Sequence, residues 1–525
     1  MGSSKLTSPT NSRRKWLVLA VISFALFMIL LDVTIVNIAI PHIMKSLNAG
    51  LSSVEWVINV YTLVFAVLLL TMGKLGDLFG RKRLFMIGLA IFTLASLACS
   101  LSPNLAVLVL ARGIQAIGSA AMMPATLSIL NVEFAGGQRG LALGVWGAIS
   151  GAATALGPII GGSLVDAFSW QYIFVINIPI GIFAFIAAML IVRESKDPNT
   201  DRHIDIPGVL LISAALFCLT FALVQGQSYG WTSVTILSLF AGALAGLVAF
   251  IILELRTARP LAQLRLFKNP SFAAGNFIGI VIHFGLIGVI FLVVLYLQIV
   301  LGLKALQSGL WLLPMPLVLM LVAPFAGRLT DKIGGRWILM VGTLFSALGI
   351  FLLSQLANVN AWTDLLPPLL VCGAGMGLVM APVTTVVMAS VPVQQSGMGA
   401  GILATCRQIG SVLGISLLGA ILQNQLVSNM TAALAKIPQI PAAIRDQIAG
   451  GLATGNMSMG GFDASSNLPA VMMQQLTELF KTQFTHSLDT AMKVGMVVVL
   501  LGAAASFFIS SHVRKTKTEV KPTGR

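Results

Sequence analysis

The run Gly73-Lys-Leu-Gly-Asp-Leu-Phe-Gly-Arg-Lys-Arg83 decides the architecture, because the chain carries it twice. Its outline returns as Gly327-Arg-Leu-Thr-Asp-Lys-Ile-Gly-Gly-Arg336, where Gly73, Leu75, Asp77 and Gly80 match Gly327, Leu329, Asp331 and Gly334. Each copy joins one long apolar segment to the next. A second echo aligns Gly140, Gly144, Leu156, Gly157 and Gly162 with Gly397, Gly401, Leu413, Gly414 and Gly419. The two offsets, 254 and 257 residues, nearly coincide. Self-similarity at one offset between apolar segments marks a duplicated bundle, a plan common among transporter folds.

Composition agrees. The 525 residues are 57% hydrophobic and 9% charged, a balance that excludes a water-soluble domain. The formal charge of +15 would suggest nucleic acid in a soluble chain. Here the cations cluster between apolar runs, where they act as topology signals, and no nucleic-acid partner is expected. Cys99, Cys218, Cys372 and Cys406 are widely spaced, lie in or beside apolar segments and read as packing residues. Arg13, Arg14 and Lys15 precede an apolar run too long for a signal peptide, so that run is an uncleaved first span.

At about 20 residues per span, fourteen all-α spans follow. A tail, 1–15, precedes a six-helix half at 16–193, with spans near 16–40, 54–73, 83–101, 105–131, 141–165 and 171–192. An inserted helix pair occupies 206–255. The second six-helix half covers 269–512, with spans near 271–300, 307–328, 337–356, 363–389, 397–423 and 487–511, and a tail covers 513–525. Residues 425–486 form a long outward segment with a Gly-, Ser- and Asn-rich centre and flanks capable of amphipathic helix. Arg13 to Lys15, Lys74, Arg81 to Arg83, Arg139, Arg193, Lys196, Arg202, Arg256 to Lys268, Arg328, Lys332, Arg336 and the last tail all fall on one side. Little beyond Lys45 and Lys304 falls in the short loops of the other. The positive-inside rule makes the first side cytoplasmic, in the cytoplasmic membrane of the cell.

Inside hydrocarbon a carboxylate demands explanation. Asp32, in Leu31-Asp-Val-Thr-Ile-Val-Asn-Ile-Ala-Ile-Pro41, lies about 12 Å below the outer end of span one, and Arg112 about 10 Å inside span four, which enters from the same face. The two charges share a depth and are expected to pair, either as a static bridge or as a proton-coupling site whose protonation frees Arg112 for acceptors such as Gln115. Glu55, at the outer start of span two, is a second proton-coupling candidate, though a helix N-terminus favours an acid without any such role. Asp489 and Lys493 have the spacing of an intrahelical pair.

In the loop, Gly73, Gly76 and Gly80 permit tight turns and Asp77 can cap or bridge a neighbouring helix, while Arg81, Lys82 and Arg83 suit anionic lipid headgroups. Its expected work is gating through charge contacts that break between states. Span five is glycine-rich and carries Gly151, Gly157, Pro158 and Gly161, so it should pack closely and bend once. The second half has Ile415 in place of that proline. A substrate cavity is expected among Asn37, Gln115, Met122, Met123, Trp146, His283, Tyr296, Met376 and Arg407. Arg407, near the midplane of span thirteen, has no acid at its depth and would face water or an anionic group. No nucleotide loop, HExxH or His/Cys metal spacing occurs, so neither an enzyme site nor a metal or other cofactor is expected.

These motifs together resemble the major facilitator superfamily, and within it the fourteen-span drug/proton antiporters of the QacA/EmrB type. Leu31–Pro41 is similar to that branch's first-helix motif, Gly73–Arg83 to the superfamily loop and Arg112–Gly118 to the fourth-helix motif linked to proton transfer. Gly157-Pro158 is similar to the antiporter motif of helix five, and Trp170–Gly181 fits the start of helix six. The resemblance implies alternating access and proton-coupled efflux of small lipophilic, often cationic, compounds. In Gram-negative relatives it also implies a periplasmic adaptor. The rivals are export of one endogenous compound, a channel, and a sensor without flux.

Overall fold

A computed structural model describes residues 12–134, 138–195, 205–257, 260–355, 361–436, 445, 448, 450–452 and 470–510. Residues 1–11, Lys196, Arg202, most of the centre of the 425–486 segment and the tail 513–525 lie outside them. Among the described residues fourteen helices are long and apolar enough to cross a membrane. They are α1 (Arg13–Leu47), α2 (Trp56–Phe79), α3 (Arg81–Ser100), α4 (Leu105–Glu133), α5 (Arg139–Ala167), α6 (Tyr172–Ile191) and α7 (Ile206–Tyr229). Then follow α8 (Val234–Arg256), α9 (Pro270–Val300), α10 (Leu306–Ile333), α11 (Arg336–Ser354), α12 (Trp362–Ala389), α13 (Val393–Leu434) and α14 (Met472–Ser506). The chain is a multi-pass, all-helical membrane protein.

Helix ends follow local chemistry. Asn104, Asp205, Ser233 and Asn269 each cap a following helix through a side-chain oxygen. Gly80 ends α2 at φ 111°, a left-handed value that glycine adopts without strain. A Cβ there would also strike the Glu194 carboxylate, which accepts from the backbone N–H groups of Lys82 and Arg83 at the start of α3.

The two halves meet along two crossed pairs, α5 with α10 and α2 with α13. In each pair the second helix of one half lies on the fifth helix of the other. The inserted α7 packs on α2 and α13. Glycines set these seams: a side chain on Gly140 would overlap the carbonyl of Gly327, and one on Gly73 that of Gly397.

Both repeated loop aspartates close the same end of the molecule. Asp77 accepts from the backbone N–H groups of Gly397 and Met398, both at 2.8 Å, in the first turn of the α-helical part of α13, which begins at Ser396. Asp331 accepts from those of Gly140 at 2.9 Å and Leu141 at 3.4 Å, in the first turn of α5. Each loop thus places its carboxylate on the positive N-terminus of the other half's fifth helix. Arg81 tightens the first lock by pairing with Asp77 at 2.7 Å and donating to the carbonyls of Val393 and Gln394, both at 2.8 Å. Asn131 adds a bond to Ser396 at 2.6 Å.

Two expectations need correction. Arg81 is 2% exposed and serves this lock, so the headgroup role assigned to it has no surface to act on. The first helix runs to Leu47 and not to residue 40, since Pro41 is accommodated within it. The described flanks of the 425–486 segment are helical, as expected, and are continuations of α13 and α14. Leu426, Met430 and Leu434 recur at helical spacing and share an apolar cluster with Leu476, Phe480 and Phe484.

Asp77→Asn removes the charge from three of these contacts. Hydrogen bonds to a charged group are worth about 1.5–3 kcal/mol, so the closed population should fall by about tenfold or more. Spin labels at Arg83 and Lys332 should report a longer distance in Asp77→Asn, and longer still with Asp331→Asn added. An unchanged distance in the double variant would remove the lock from the account.

Candidate functional site

The first half is knit around Asp32. Five helices contribute: α1 gives Asp32, α2 gives Tyr61 and the Val57 carbonyl, α3 gives Ser96, α4 gives Arg112, Gln115 and Ser119, and α6 gives Asn177. Asp32 and Arg112 are each 1% exposed. Arg112 donates from Nη1 to Asp32 Oδ2 at 2.5 Å and to Gln115 Oε1 at 2.6 Å, and from Nε to the Val57 carbonyl at 3.1 Å. Asp32 Oδ1 accepts from Gln115 Nε2 at 2.9 Å and Asn177 Nδ2 at 3.0 Å. Gln115 Nε2 also donates to Ser96 Oγ at 2.8 Å.

The guanidinium carbon sits 4.2 Å from the Tyr61 ring centroid, and the Tyr61 hydroxyl bonds to Ser119 at 2.7 Å. Both charges are therefore compensated by an ion pair, amides and a ring face. Removing either partner leaves the other buried and unpaired, at a cost of about 3–5 kcal/mol.

The helix that carries Asp32 also packs on α5, which forms one seam between the halves. Two and three residues on, Thr34 and Ile35 fill the spaces left by Gly157 and Gly161 of α5. The opposite side of α5 packs on α10, with Gly309 against Pro158 and Leu319 against Gly151. The helix that carries Asp32 is thus in contiguous packing, through α5, with the other half.

Glu55 lies just before α2 with an exposed side chain and makes no side-chain cap bond. Although open to solvent, it is partly desolvated by surrounding protein, which raises its carboxyl above the ordinary glutamate range.

The nine cavity candidates separate. Gln115 belongs to the Asp32 network. Asn37 is exposed and bonded to the Val33 carbonyl of its own helix. Met122 is wholly buried where α3 crosses α4 beside Gly88, and Met123 packs on the same cluster. Met376 and Tyr296 are buried in the core of the second half. Three remain together. Arg407 faces the Trp146 ring of the other half at 6.0 Å and bonds to Thr384 Oγ1, while His283 stands on α9 beside Gly279, which packs on Arg407. Asp489 and Lys493 form a peripheral pair at 2.7 Å.

Sequence reasoning did not single out Ser96, Tyr61 or Asn177 for this network. Asn177 was visible as a lone amide in the apolar run Trp170–Gly181. Tyr61 and Ser96 carry no such signal, because their roles depend on which side of each helix meets Arg112.

Residues 22–415 match the family model described as Major Facilitator Superfamily. The chain is 32% identical over 507 residues to the tetracenomycin C resistance and export protein of Streptomyces glaucescens, covering 94% of this chain and 91% of that one. It is 33% identical to the multidrug transporter protein MdtP of Bacillus subtilis, covering 96% and 95%. Its fold is similar to the crystal structure of the human organic anion transporter MFSD10, with a TM-score of 0.57, 14% identity, and 94% and 100% coverage. A duplicated bundle, two crossed seams, a repeated loop and a family match across most of its length make this chain a membrane transporter of the Major Facilitator Superfamily.

Proposed function

We propose that the protein is a proton-coupled exporter of small lipophilic compounds, working by alternating access. The observation that carries the coupling is the wholly buried Asp32–Arg112 pair, set two residues from the α1–α5 contact. Buried intramembrane acids commonly mark substrate, ion or proton pathways, and the export and multidrug functions named for the two relatives support small drug-like compounds as cargo.

With the basic end taken as cytoplasmic, the locks of Asp77 and Asp331 hold the cytoplasmic side shut. A proton arriving from outside neutralises Asp32 and weakens its bond to Arg112. The carboxyl then donates where it accepted, so the contacts with Gln115 and Asn177 rearrange and α1 shifts against α5. The first turn of α5 is where Asp331 is bound, so this shift works against the lock and favours opening inward. The compound loads, Asp32 releases its proton to the cytoplasm, and the locks re-form. Lys82 and Arg83 remain available for anionic headgroups.

Exchange of one proton for one monovalent cation moves no net charge and draws only on the pH gradient, about 1.4 kcal/mol per unit. A second proton on Glu55 adds about 2.3 kcal/mol per 100 mV. Glu55 suits that task because its raised affinity brings proton binding closer to neutral pH. The long helical extensions of α13 and α14 project on the outer side, where a periplasmic adaptor would dock in a Gram-negative host.

Two measurements test this reading. In liposomes with an imposed pH gradient, wild-type protein should drive uphill flux of a fluorescent lipophilic dye, and Asp32→Asn should lose that flux by at least about tenfold while downhill exchange persists. Full gradient-driven flux in Asp32→Asn would sink Asp32 as the coupling residue. With a monovalent cationic dye as cargo, Glu55→Gln should keep its response to the pH gradient and lose its response to an imposed voltage, and a voltage response equal to wild type with that dye would exclude Glu55 as a proton carrier.

A further inference from the structure

Three arginines are buried in the described part of the protein: Arg81, Arg112 and Arg407. Two of them have an aspartate, Asp77 and Asp32 respectively. Arg407 is 6% exposed, and no carboxylate among the described residues pairs with it. One of its terminal nitrogens bonds to Thr384 Oγ1 and, at 3.4 Å, to the Met380 carbonyl, while its Nε has no acceptor. A guanidinium carries five donors in a planar fork and cannot shed its charge, so a buried one left without an anion is incompletely compensated.

Its place in the fold adds the second half of the argument. Arg407 belongs to α13 of one half, and its charge faces the Trp146 ring on α5 of the other, about 10 to 20 Å in from the basic end by helix rise. His283 of α9 is a further polar side chain beside it. A planar ring face and an unpaired cation thus meet at the seam that alternating access must open and close. The fork geometry matches a carboxylate, and the indole matches a flat aromatic body.

We propose that Arg407 and Trp146 form an anion-recognising subsite for aromatic compounds that carry an ionised acid group. This inference rests on the exporter reading and names the substrate class that its site takes. The acid group of the compound occupies the free edge of Arg407 and its rings lie against Trp146, so one molecule touches both halves at once. A lipophilic cation meets repulsion at the same place.

The test uses two xanthene dyes of similar ring size and opposite charge, fluorescein and rhodamine 123, with full-length protein in lipid nanodiscs for binding and in liposomes for flux. Fluorescein should bind wild-type protein about tenfold or more tightly than rhodamine 123. Arg407→Gln should abolish that preference by weakening fluorescein, and Arg407→Lys should restore part of it. Equal binding of the two dyes to wild-type protein, tighter binding of rhodamine 123, or an equal loss of both in Arg407→Gln would each overturn the subsite. The wild-type comparison stands even where a variant fails to fold. Binding of fluorescein without gradient-driven flux would support the subsite while defeating the exporter reading. Flux of rhodamine 123 alone would do the reverse.

Discussion

A charge inside hydrocarbon must be paired or solvated, and the first half of this transporter is built on how Asp32 meets that demand. One carboxylate draws in a guanidinium, two amides and, through Gln115, a hydroxyl. The partners come from α3, α4 and α6, and α2 closes the network with a carbonyl and a ring face. An arrangement of this kind is rigid while the acid is ionised. In the proposed cycle it loosens when the acid is neutralised, and that would make it a switch.

The same electrostatic logic recurs at the basic end in another form. There the acids are not paired mainly with side chains but set on helix N-termini, where backbone donors have no helical partner. Duplication makes the device reciprocal: each half carries one loop acid and one receiving helix. Closure of that end is therefore the sum of two similar contacts made across the molecule. The close glycine approaches at Gly140 with Gly327 and Gly73 with Gly397 bring the backbones near enough for it.

Much of this was legible in the sequence. The count of fourteen spans, the inserted pair, the two halves and the depth match of Asp32 with Arg112 all follow from hydropathy and helix rise. The repeats at Gly73–Arg83 and Gly140–Gly162 were visible as two separate echoes. That they bind each other crosswise was not, because a helical repeat fixes position along the membrane normal and says nothing of which helix of the other half lies opposite. For the same reason the cavity candidates scattered. Met122, Met376 and Tyr296 have suitable side chains at suitable depths but are buried in the cores of their own halves; Trp146 shares the cluster of Met122 and bonds to Thr126, yet its ring also faces Arg407 of the other half at 6.0 Å. The extensions of α13 and α14 escape a hydropathy reading because polar residues enter the helix once it leaves the bilayer. The buried stripe of Leu426, Met430 and Leu434 nevertheless keeps its helical spacing.

The central claim is that the charge on Asp32 sets whether the Asp77 and Asp331 locks are closed. It is tested most directly by following the Arg83–Lys332 spin-label distance as pH falls, in wild type and in Asp32→Asn. The account predicts that acid lengthens the distance in wild-type protein and that Asp32→Asn is long at every pH. A wild-type response to pH that survives intact in Asp32→Asn would contradict it.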